Sequence, residues 1–161
     1  DLGDNNDRWK DIYLGGGAYL GGTGTANKLD DYEYGSWTPA FNIPSGSVGY
    51  TGQVGSYVKI GHTITASFAL NISTISSPSG NLGITGWPFP SGSGEQYVQG
   101  VTFALIRSLA GDFPNIRAYI GNDSSTVTIS TQATNGSHTA LNANQLTTST
   151  LMYGQLTYNT D

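Results

Sequence analysis

The chain has 161 residues, about one domain's worth, with no cysteine and 11 acidic against 6 basic side chains, for a net charge of −5. Disulfide frameworks, thiolate zinc sites and thiol nucleophiles are thereby excluded, and the few scattered Lys and Arg do not form the basic stripe that a nucleic-acid or polyanionic partner needs. No apolar run approaches the ~20 residues of a bilayer span, and the start lacks the charged-then-apolar order of a signal peptide, so no membrane insertion is expected.

The chain begins with Asp1 rather than methionine and enters a patterned segment at once, which reads as the C-terminal piece of something longer. Ten charged side chains fall at or before Gly35 and seven after it. This shift places a boundary near residues 30 to 36, dividing a stalk over residues 1–35 from a head over residues 36–161. Within the stalk, the run Asp11 to Gly24 writes Tyr-Leu-Gly-Gly twice. It is not a phosphate cradle, because neither G-x-G-x-x-G nor G-x-x-x-x-G-K-[ST] fits it and no helical pattern follows. Strand alternation puts Trp9, Asp11 and Tyr13 on one side and Lys10, Ile12 and Leu14 on the other, so both faces are largely apolar, and Tyr19 and Leu20 repeat the pair. A short segment that wants cover on both faces must take its neighbours from other chains. Repeats need about three copies to bury a core and this chain has two, which points to a threefold homo-oligomer built on Trp9, Ile12, Tyr13, Leu14, Tyr19 and Leu20. Asp30, Asp31 and Glu33 close the stalk; adjacent aspartates on an extended segment point to opposite sides, and a turn or cap role suits them better than a catalytic or calcium-binding one.

The head is rich in Thr, Ser and Gly, with strand-length alternating runs and no sustained helical period. Gln53 to Ile60 sets Val54, Val58 and Ile60 on one side and Tyr57 and Lys59 on the other. Thr63 to Ser73 aligns Ile64, Ala66, Phe68, Leu70 and Ile72 on a core face. Gly61-His62 supplies the tight turn of a hairpin between them. Weaker runs follow at 82–85, 97–106, 116–120, 126–131 and 151–158, separated by turn clusters. The expected fold class is all-β: a short intertwined trimeric β stalk followed by an antiparallel β-sandwich, jelly-roll-like head.

Candidate chemistry is sparse. His62 and His138 lie far apart in turn-like sequence with no G-x-S-x-G near them, and they read as surface histidines. The three N-x-[ST] sequences, at Asn71, Asn122 and Asn135, read as coincidences of composition. No catalytic residue, metal site or cofactor is expected. Ten tyrosines and three tryptophans beside so few charges do suit sugar recognition, in which flat rings stack on a pyranose while amide, hydroxyl and charged groups take its hydroxyls. The candidate contacts are Trp87, Tyr97, Arg107, Asp112, Arg117, Tyr119, Asn122 and Asp123.

The run Asn6-Asp7-Arg8-Trp9-Lys10-Asp11-Ile12-Tyr13-Leu14, then Tyr19 to Gly24, then Ala26 to Glu33 with Gly35, Trp37, Thr38 and Pro39, resembles the distal part of bacteriophage tail fibres. Gly55 to Gly61 and Ile84-Thr85-Gly86-Trp87-Pro88-Phe89 extend the resemblance into the head, which covers roughly residues 5 to 90. Tyr34 stands where that pattern would carry an acidic residue. Trp87 stands where it would carry a smaller aliphatic, as core filling or as an exposed platform. The resemblance implies a homotrimeric virion component at the tip of a phage tail fibre, binding a bacterial surface receptor, a polysaccharide or outer-membrane component, without enzymatic action. The alternatives are a structural domain that caps the trimer and a fragment of a polysaccharide-depolymerising tailspike.

Overall fold

In the computed structural model, which describes residues 9–29, 31–94, 99–113, 115–133 and 136–161, the chain is built almost wholly of strands. In chain order these are β1 (Ala18–Tyr19), β2 (Lys28–Leu29), β3 (Tyr32–Trp37), β4 (Ala40–Asn42), β5 (Ser45–Ile60), β6 (Thr63–Ser79), β7 (Gly83–Thr85), β8 (Gln99–Gly100), β9 (Thr102–Arg107), β10 (Ile116–Ile120), β11 (Thr126–Gln132), β12 (His138–Ala140) and β13 (Leu151–Asn159). All pairings between these strands are antiparallel, as the sequence led one to expect.

The β5–β6 hairpin forms as read from the sequence, with Ile60 opposite Thr63 across Gly61-His62. Gly61 takes φ +56 at the first loop position, where a two-residue hairpin loop of the II′ kind needs a positive φ. The hairpin runs well past the expected limits, to Ser45 and Ser79, because the Ser, Thr and Gly residues there still pair through their backbones. On β6 the residues Ile64, Ala66, Phe68, Leu70 and Ile72 are all buried, as their alternation requires. On β5 the valine side faces away from the core: Val54, Val58 and Ile60 are exposed. The inner side of β5 is Gly55, Tyr57 and Lys59. A Cβ at Gly55 would stand 2.5 Å from the Trp37 indole nitrogen, so only glycine leaves room for that ring. The Lys59 stem lies beneath Phe89, with its ammonium 5.5 Å from the ring centroid and paired with Asp31.

Two sheets face one another. One has the order β3-β5-β6-β13-β9, the other β4-β7-β11-β10-β8, with β12 also pairing β11. Among the connections that pass from sheet to sheet are two short corners: β3 leads through Thr38-Pro39 into β4, and β8 leads through Val101 into β9. At the second corner the Val101 N–H donates to the Ala118 carbonyl at 2.8 Å. Strand-switching corners of this kind join the two layers of a sandwich. Between the layers Trp37 and Trp87 lie with centroids 4.5 Å apart, and Phe68 and Tyr158 meet Trp87 edge-on at 5.8 and 6.1 Å. Ile64, Leu70, Ile84, Ile120, Val127, Ile129, Met152 and Leu156 fill the rest of the core.

The sandwich takes up the chain from Tyr32, since β3 pairs with β5 along its whole length and runs through the expected boundary at residue 35. Before it, β1 and β2 make a two-stranded ribbon, with Ala18 opposite Leu29 and Tyr19 opposite Lys28. Residues 9–17 form no ladder with the other described residues.

Candidate functional site: two outer sheet faces

Partners across an antiparallel pair share a face, so the registers define what each sheet turns outward. On the five-stranded sheet, successive cross-strand rows are Tyr32 with Ile60 and Thr63, Tyr34 with Val58, Thr65 and Thr157, and Ser36 with Ser56, Ser67 and Gln155. Val54, Ala69 and Tyr153 make a further row. The β3–β5 half of this face is apolar and the β6–β13 half is polar. In the polar half, Ser56 bonds Ser67 at 2.9 Å and Thr65 bonds Thr157 at 3.1 Å, while Thr63 donates to Asn159 Oδ1 at 3.0 Å. The rings of Tyr32 and Tyr34 stand 6.4 Å apart beside a groove that Ser67 and Gln155 also line.

Below the apolar half, on the inner side of the same strands, the two described acids of the neck are engaged. Asp31 pairs with the Lys59 ammonium, and its carbonyl accepts from the Gly61 N–H at 2.7 Å. Glu33 accepts a hydrogen bond from the Tyr57 hydroxyl, a contact that pushes the phenol's pKa up.

The six-stranded sheet turns a different surface outward. Ile116, Ala118 and Ile120 of β10 face inward, and Arg117 and Tyr119 face out. Ser130 lies opposite Arg117 on one side and Ala140 on the other; Thr128 lies opposite Tyr119, and Gln132 opposite His138. This face therefore carries one cation, one phenol, hydroxyls, an amide and an imidazole. At its corner a groove of about 330 Å³ is lined by Gly100, Val101, Arg117, Tyr119, Ser130 and His138, among others. Ser130 is buried, and its Oγ has no hydrogen-bond partner among the described residues.

The candidate sugar contacts do not converge. Arg117 and Tyr119 share the groove just described. Arg107, the last residue of β9, and Asp112, on the β9–β10 connection, are exposed; in that connection the Ser108 carbonyl is held by the hydroxyls of Thr147 and Thr150 at 2.7 and 2.8 Å. Asn122 and Asp123 make the tight turn after β10, with Asp123 at φ +55 and its N–H donated to the Gly92 carbonyl at 3.0 Å. Tyr97 lies outside the described residues. Trp87 is a correction: it is 5 % exposed, its indole nitrogen donates to the Ile84 carbonyl at 3.0 Å, and its ring packs among Trp37, Phe68 and Tyr158. It is core filling and offers no platform to a ligand.

The stalk residues Trp9, Ile12, Tyr13, Leu14, Tyr19 and Leu20 are all exposed in the single chain, Tyr13 at 92 %. The sequence reading missed Tyr32, Tyr34, Val54, Val58 and Ile60 as their continuation. The signal was present in β5, where an apolar residue on each side of the alternation leaves one side without cover. His138, read as part of a loop, is the first residue of β12. Nothing in the sequence marked Ser130.

No family model matches the chain, and no curated protein matches it in sequence. Among solved structures, that of the Dettilon tailspike protein (gp208) is similar, with a TM-score of 0.66 and 20% identity, over 80% of this chain and 24% of that one. The likeness is one of fold, and this chain spans about a quarter of that protein's length.

Proposed function

We propose that this chain is the β-sandwich part of a phage tail protein, a virion component that assembles as a homotrimer and takes part in attachment to the bacterial surface. One observation carries the reading. Of the 13 large hydrophobic residues exposed among the described ones, 12 lie either between Trp9 and Leu29 or on the outer side of β3 and β5; Tyr119 is the other. Together they expose on the order of 1,500 Å² of mostly apolar surface, above the ~800 Å² per partner of a standard interface. Further copies of this chain are the occupants that match, since an apolar segment and the sheet that follows it directly can be covered by the same segments of a neighbour.

The fold likeness to a tailspike supports a portion of a tailspike in preference to a free-standing fibre tip. Any cleavage of polysaccharide would then belong to the longer protein. The engagement of Asp31 with Lys59 and of Glu33 with Tyr57 supports a non-catalytic role for this part. Light scattering on the purified chain tests the assembly, with a trimer mass expected and a monomer counting against it. Adsorption to bacterial strains, together with a search for oligosaccharide products after incubation with their surface polysaccharide, tests attachment and the absence of cleavage.

A further inference from the structure

We infer that the corner groove of the six-stranded sheet, between Arg117, Tyr119, Ser130 and His138, binds a carboxylate-bearing sugar of a surface polysaccharide; the inference rests on the attachment reading above.

Three observations meet there. First, Tyr119, 43 % exposed, is the one large exposed hydrophobic among the described residues that lies outside the proposed assembly surface, and it lines this groove. An exposed aromatic ring beside hydroxyls is what the apolar side of a pyranose stacks on. Second, Arg117 projects from the same face of the same strand, two residues away, with no ion-pair partner among the described residues. The described outward residues of β10, β11 and β12 include no acid, so a net-negative chain presents here a small, locally positive face. A single planar guanidinium matches one carboxylate in bidentate fashion. It does not match a dense polyanion, which the overall charge would repel.

Third, Ser130 lines the groove, with its hydroxyl buried beneath the surface. The residue is 3 % exposed and its Oγ has no partner among the described residues. Buried hydroxyls in native folds are almost always satisfied, and an orphan in a concave site calls for an explanation. A sugar hydroxyl that reached Ser130 as its neighbours move aside would supply the missing bond. His138, from β12, adds an imidazole at the same wall. The groove volume of about 330 Å³ falls at the lower end of small-ligand sites, which suits one or two sugar rings and not a longer stretch.

The test is titration of the full 161-residue chain with an oligogalacturonate and with the same oligomer after carboxyl reduction, followed by calorimetry or ligand-observed NMR. The carboxylated oligomer should bind at least about tenfold more tightly, and Arg117→Gln should remove that preference while Arg117→Lys keeps part of it. Tyr119→Ala should weaken both oligomers, and Arg107→Gln, away from the groove, should change nothing. Circular dichroism and light scattering on each variant establish that fold and assembly are intact. Equal affinity for the two oligomers, no binding to either, or a preference that survives Arg117→Gln would overturn the assignment. Adsorption to cells, measured in parallel, separates the two claims: a chain that adsorbs without carboxylate preference defeats the groove alone, and one that prefers the acid sugar but does not adsorb defeats the attachment reading alone.

Discussion

The two outer faces of the sandwich are made by similar strands and are chemically opposite. On the β3–β5 side, Tyr32, Tyr34, Val54, Val58 and Ile60 are exposed to water. On the β10–β11–β12 side the outward positions are Arg117, Tyr119, Thr128, Ser130, Gln132 and His138. Since both faces rest on one core, the difference is not about folding the monomer. It separates a surface suited to association from a surface suited to polar recognition.

The comparison can be broken most sharply at the level of assembly. Leu14→Asp with Leu20→Asp, or Tyr34→Asp with Val58→Asp, should convert the proposed trimer to monomers with about a threefold drop in mass by light scattering, because an unpaired charge in an apolar interface is not tolerated. Arg117→Asp should leave the mass unchanged, and a loss of trimer there would erase the distinction between the faces. Next in size is Trp87→Ala beneath both faces, expected to cost about 3–5 kcal/mol in denaturant unfolding and to weaken the two surfaces together. Tyr158 gives a pH-dependent effect of similar order. Burial pushes its pKa up to about 12, against the lowering effect of the bond its oxygen accepts from the Phe89 N–H. Because this folded-state value lies above the unfolded one, the contribution is complete below about pH 10 and is lost as pH rises through about 12. The loss is about 2–3 kcal/mol, and Tyr158→Phe should flatten that part of the stability profile. Gly55→Val should push the Trp37 ring aside, for about 1–3 kcal/mol. The smallest effect is the most telling for the polar face. Ser130→Ala removes an unsatisfied hydroxyl and should raise stability by about 0.5–1 kcal/mol while weakening sugar binding, the trade between stability and function that a ligand site predicts.

Much of the fold was legible because its strands alternate strictly. β10 was read to its limits, β6 gave its core face and β13 its extent. What escaped was the part of the fold that alternation cannot carry. The period of two reports that β5 has two faces but not which one is buried, and the answer depends on Trp37 needing the space over Gly55 and on Lys59 having both Asp31 and Phe89 within reach. The run 97–106 read as one strand becomes β8 and β9 in different sheets, since a corner leaves no mark in composition. The candidate site was half legible: Arg117 and Tyr119 were named on type and place, whereas Ser130 and His138 join them only through the β10–β11–β12 register. Trp87 was misplaced because an aromatic in a Gly-Trp-Pro-Phe turn looks like a loop residue until the opposite sheet is known.

The position of β13 sets the timetable of folding. It lies between β6 and β9, so Thr63 meets Asn159 across 96 intervening steps of chain. The β5–β6 hairpin can form from neighbours as soon as it is made, but it then carries an open edge until residues 151–159 arrive, and closing so long a loop is slow. During that interval a flat, β-rich edge is available to any other nascent copy. If its copies stand side by side as proposed, the delay puts a premium on finishing each sandwich before its neighbours meet.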